Sequence, residues 1–222
     1  MSVWSRIAEA VQGLAQGAGL TALLERFRAP PERSVAFTIA VIALGAKMAK
    51  ADGRVTRDEV AAFREVFTIP EASRRSAAML FDYARQDVAG FEEHAARIGR
   101  MFGPGSDTLH DLMDGLLHIA AADGEVHPGE DAFLSRCAEL FGLDPARYAR
   151  QRAQTAGDDP WAALGLEPGA DPQAVRARWR ALVRETHPDR LIARGLPEEA
   201  VRLATARLAR INEAYERIAA EG

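Results

Sequence analysis

Toward the C-terminal end, the stretch RETHPDR sets His187, Pro188 and Asp189 directly behind a row of arginines, Arg176, Arg180 and Arg184. A histidine beside an aspartate invites a reading as acid–base machinery. Pro188 argues against it. Two side chains separated by one proline-fixed residue do not converge as a triad, and no nucleophile elbow or glycine-rich phosphate loop accompanies them. What these residue types can do together is bind. Arginines four apart stand in one row on a helix, and a carboxylate at the tip of a stiff turn suits a cation on another molecule. A hydrolase is set aside, and no enzymatic activity is expected.

A second constellation is acidic. KMAKADGRVTRDEVAAF recurs as LHIAAADGEVHPGEDAF, matching Asp52-Gly53 to Asp123-Gly124, Val55 to Val126 and Glu59 to Glu130 at an offset of 71 positions. Each copy reads as helix, Asp-Gly turn, buried valine, helix. Thr56 and Glu59 form a capping box, while Pro128 suits a first helical position with Glu130 near the third. Helix capping accounts for most of this pattern. Asp52, Glu59, Asp123 and Glu130 would also make an oxygen-rich site for a divalent cation. Their spacing is not that of an EF-hand, since Gly follows the first Asp directly.

The elements that must position these residues are helices throughout: apolar spacing is 3.6-periodic and no period-two strand stands out. In residues 1–32, Trp4, Ile7, Val11 and Leu14, then Leu20, Leu23, Leu24 and Phe27, predict one or two amphipathic helices ahead of the APPE break. A helical domain over 33–155 follows, and QTAGDDP reads as a linker. In the last segment, 158–222, Asp171 and Pro172 start a helix whose Val175, Trp179 and Leu182 face inward and whose arginines face out. Pro188 ends that helix. A charged loop of about eight residues is expected next, longer than a simple connection needs. Pro197, Glu198 and Glu199 then open a long helix with its own apolar stripe, antiparallel to the first. The fold class is all-α.

Two resemblances follow from these motifs. The repeated ADGxVxxxE resembles the TerB-like domain family over about 33–150; the resemblance implies clustered acids with a metal-associated or partner-binding role. PWAALGLEPGADPQAVRARWRALVRETHPD and LARINEAYERI resemble a J domain, the co-chaperone module that activates DnaK-type chaperones. The resemblance implies that His187, Pro188 and Asp189 are the signature tripeptide, and that Arg176, Trp179, Arg180 and Arg184 lie on the chaperone-contacting helix. Trp179 replaces the usual Tyr, and Ala181 stands where a basic residue is common. There is no Gly/Phe-rich segment or zinc-binding cysteine cluster, as general client-binding J proteins have. A TerB-like domain ahead of a C-terminal J domain is similar to the DjlA type of bacterial J protein, a family that typically begins with one membrane-spanning helix.

The expected function is stimulation of ATP hydrolysis by a DnaK-type chaperone, with the TerB-like domain targeting the protein to an unknown client or signalling partner. The alternative is a cation-responsive or stress-signalling TerB-like module with an accessory J domain. No cofactor is expected beyond the divalent cation those acids would hold. A net charge of -4 gives no general attraction to nucleic acid. The apolar run Val35–Ala46 falls short of a bilayer span and reads as a core helix. The single cysteine, Cys137, fits a reducing compartment and a buried, inert thiol. With no secretory signal and no span legible, a cytoplasmic protein without membrane association is expected.

Overall fold

The computed structural model describes residues 3–15, 19–26, 33–51, 69–86, 90–122 and 126–221. Every regular element among them is helical, as the periodicity predicts. The architecture is built around α3 (Arg33–Ala51). From Val35 to Met48 its side chains are all buried, Lys47 included. A helix apolar on all sides must be enclosed, and α3 is the core helix that the run from Val35 to Ala46 predicts.

Among the described residues, six helices enclose it. They are α1 (Val3–Ala15), α2 (Leu20–Arg26), α4 (Arg74–Gln86), α5 (Phe91–Phe102), α6 (Asp107–Ala120) and α7 (Pro128–Leu140). The stripe Trp4, Ile7, Val11 and Leu14 is buried, and α1 packs on α3 and α4. These N-terminal residues therefore share one apolar core with the helices after position 33. Local chemistry sets many helix starts. Glu130 accepts the backbone N–H of His127 at 3.1 Å and closes a capping box at α7. Asp144 caps α8 (Pro145–Ala156) by accepting from the Arg147 amide at 2.7 Å.

A smaller apolar cluster follows, made by α9 (Pro160–Leu164), α10 (Pro172–Thr186) and the far half of α12 (Glu198–Glu221). Leu164, Val175, Leu182, Ile211 and Ile218 are its buried residues, with α10 and α12 side by side as an antiparallel hairpin. Asp159 and Asp171 cap α9 and α10, as their placement before prolines predicts for Asp171.

The segment between the rods differs from expectation. Where an eight-residue loop is predicted, Pro188–Ala193 forms a short helix, α11. Pro188 occupies its first position, the His187 side chain caps it, and Leu191 is buried. Six residues rarely hold a helix alone, so tertiary contacts must sustain it.

The two clusters are not separate bodies of packing. Ala200, Leu203 and Ala204 in the near half of α12 belong to the larger core, and Ile211, Ala214 and Ile218 in the far half belong to the smaller one. Gly115 on α6 makes this possible. A β-carbon there would lie 3.3 Å from Leu203 Cδ1 and 3.6 Å from Val41 Cγ1. At the start of α12, the Trp4 side chain of α1 hydrogen-bonds Glu199, which is buried.

Candidate functional site

The corner between α10 and α12 is built by its proline. His187 adopts φ −59° and ψ 128°, outside the helical region, so α10 ends at Thr186 and α11 starts afresh. The His187 Nδ1 accepts the backbone N–H of Asp189 at 3.2 Å and lies 3.6 Å from Asp189 Oδ2. The Asp189 side chain nevertheless remains 83% exposed. It is a rigidly mounted carboxylate in water.

Beside it, Arg176, Arg180 and Arg184 are all exposed. Among the described residues none of the three has a carboxylate within ion-pair distance, although the Arg184 carbonyl accepts from Arg190 at 3.4 Å. Arg178, on another side of the helix, is committed to the fold: it donates to the Leu164 carbonyl at 3.1 Å and approaches Glu185 at 3.8 Å. Trp179 is also inward-committed. Its ring stacks on Tyr215 with centroids 4.6 Å apart, and its Nε1–H donates to Asn212 at 2.9 Å. The three arginines are thus exposed along α10 and Asp189 is exposed at the corner past its end, while Trp179 is set into the hairpin seam.

Of the four acids in the repeat, Asp52, Glu59 and Asp123 lie outside the described residues. Glu130 is buried and serves the α7 capping box. Among the described residues, no group of three or more potential ligands is arranged to hold a metal ion. Cys137 is fully buried, and burial pushes its thiol pKa up, so the inert reading holds.

One polar site was missed by sequence reasoning. Asp107, Asp111 and Asp114 project from α6 toward the C-terminal helices. Arg194 pairs with Asp111 and lies 3.4 Å from Asp107, which Arg190 approaches at 3.9 Å. Arg147 donates to Asp107 at 2.7 Å. Arg207 of α12 donates to Asp114 at 2.7 Å and to Gln154 at 2.6 Å. Burial pushes the Asp111 carboxyl up to about 7, against the pull of Arg194 and with help from Asp114. At Asp107 burial also works upward, but the hydrogen bond and charge of Arg147, with Arg194 and Arg190, hold the carboxyl below its ordinary value. Behind the row, His110 and Gln151 are buried with Nδ1 and Oε1 2.6 Å apart, and burial lowers the histidine pKa. The 4-3 spacing of the aspartates on one predicted helix was the available signal. It named a face but no partner.

An all-helical body wrapped on α3, with a charged corner held out on a hairpin, is the class of protein these features define. The family model described as tellurite resistance protein TerB matches residues 38–153, just over half of the 222 residues, and the chain belongs to that family. Over most of its length the chain is DjlA-like. It is 29% identical over 196 residues to co-chaperone protein DjlA of Coxiella burnetii, covering 77% of this chain and 72% of that protein. To the DjlA of Aliivibrio fischeri it is 26% identical over 226 residues, covering 86% and 80%. To that of Escherichia coli strain K12 it is 26% identical over 216 residues, covering 84% and 80%. No solved structure matches.

These relatives correct one expectation. The cytoplasmic placement without membrane association rested on the lack of a legible span, yet the relatives are of the DjlA type, the one that typically begins with a membrane-spanning helix. Among the described residues no helix is long and apolar enough to cross a membrane. That describes those helices and does not place the protein in the cytoplasm.

Proposed function

We propose that this protein is a J-domain co-chaperone, in which α9 to α12 form the J domain and the His187-Pro188-Asp189 corner stimulates ATP hydrolysis by a DnaK-type chaperone. The observation that carries this reading is an exposed Asp189 beside an arginine row with no carboxylate partner among the described residues. Charged groups left unspent inside a fold are available to another molecule. The naming of the relatives as co-chaperones supports the same reading.

Arg176, Arg180 and Arg184 meet an acidic patch on the chaperone and steer encounter, where like-signed partners would be repelled. Asp189 then pairs with a chaperone arginine between its nucleotide and substrate domains. That contact is stronger in the hydrolysis-competent arrangement and so shifts the chaperone toward it. His187 holds the turn by accepting the Asp189 amide, and performs no chemistry. The TerB-family helices deliver the corner to a client or signalling partner.

The test is single-turnover ATP hydrolysis by an ATP-loaded DnaK-type chaperone, with wild type and with Asp189→Asn. The variant should lose stimulation almost completely while its far-UV spectrum and thermal midpoint stay unchanged, because the side chain is exposed. Equal stimulation by the two proteins would remove Asp189 from the mechanism.

A further inference from the structure

We propose that Asp107 and Asp111 of α6, with Arg190 of α11 and Arg194 at its C-cap, position the corner. On this view the TerB-family body orients the docking face as well as carrying it. The inference rests on the co-chaperone reading above.

The six residues of α11 are too few to be stable as a helix in isolation. Successive helical residues turn by about 100°. Arg190, Leu191 and Arg194 therefore fall on one side, with Asp189 and Ile192 on the other. The first side is anchored. Leu191 is buried in the larger core, Arg194 pairs with Asp111 and lies 3.4 Å from Asp107, and Arg190 lies 3.9 Å from Asp107. With that side fixed, the opposite side must face solvent. Asp189 is 83% exposed by side chain and Ile192 is 60% exposed, one of two large hydrophobics exposed among the described residues. The rotation of α11, and with it the direction of the Asp189 carboxylate, is set by contacts to α6 that lie 83 positions away in sequence for the Arg194–Asp111 pair.

The hairpin itself is locked to the same helix. Arg207 donates to Asp114 at 2.7 Å, and Leu203 packs over Gly115. A face ordered before encounter loses less conformational freedom on binding than one that must order during it. The contribution of the α6 acids therefore appears in how readily the chaperone is engaged, and much less in the rate once it is engaged.

The experiment uses the full chain and titrates wild type, Arg194→Ala, Arg194→Lys, Asp107→Asn and Asp189→Asn into a DnaK-type chaperone, reading ATPase stimulation. Arg194→Ala should raise the half-saturating concentration about tenfold through lost preorganisation while leaving maximal stimulation within about twofold. Asp107→Asn should move it in the same direction by less, and Arg194→Lys should stay close to wild type. Hydrogen exchange should rise across Pro188–Gly195 in Arg194→Ala while α10 keeps its protection. Loss of stimulation in Asp189→Asn with an unaltered titration and exchange in Arg194→Ala would overturn the positioning role alone. No stimulation by the wild-type protein would overturn the co-chaperone reading beneath it.

Discussion

Trp179 and Arg180 are neighbours with opposite fates. The indole is held by stacking on Tyr215 and by its hydrogen bond to Asn212, whereas the guanidinium stands in water. Truncating Trp179 removes an aromatic pair, a hydrogen bond and apolar area from the smaller cluster. Trp179→Ala should cost about 3 kcal/mol of stability in a denaturant titration, and Arg180→Ala should stay within about 0.5 kcal/mol. The same pair shows how far single residues could be read. The inward stripe and the outward row both follow from helical period. A resemblance assigns both to a chaperone-contacting helix, but only coordinates show that Trp179 already has partners within its own chain.

At the scale of elements, the meeting of α6 with α11 and α12 concentrates charge in a partly buried seam, and pH acts on it in two directions. Asp111 has its folded value raised to about 7 from 3.8, chiefly by burial. The folded form thus holds a proton that the unfolded chain gives up. Its stabilising contribution is complete below the unfolded value and is lost as pH rises through about 7. Asp107 is displaced downward from 3.8, despite burial, by Arg147, Arg194 and Arg190. Its contribution is present above the ordinary carboxylate range and is lost as pH falls through its folded value. Thermal midpoints measured across pH should therefore show a smaller gain between about pH 8 and about pH 5 in Asp111→Asn than in wild type, and a smaller acid loss below about pH 4 in Asp107→Asn. No shift in either profile would mean that the seam carries no net linkage. A helix of six residues in place of a loop belongs to the same scale: Pro188 and the His187 cap permit it, and Leu191 with two arginines retains it.

Across the whole molecule, α12 joins the two apolar clusters as one continuous 24-residue helix. Melting the hairpin would strip Leu203 and Ala204 from the larger core, so calorimetry should record one unfolding transition. Gly115→Val, which forces a larger side chain against Leu203 and Val41, should cost about 1–3 kcal/mol and split the trace into two steps. A wild-type trace with two separate transitions would show that the shared helix does not couple them. The sequence by itself determined the all-helical class, the enclosed α3, the aspartate cap at Asp171, the break at Pro188 and the outward arginine row. Each of these is a local property, fixed within a turn or two by helical period, cap chemistry or proline geometry. Only the tertiary structure decided which arginines were spent and which stayed free, how α11 is turned, and that the hairpin shares its long helix with the body. Those outcomes depend on pairs such as Asp111–Arg194 and Asp114–Arg207, 83 and 93 positions apart, whose meeting no local pattern encodes.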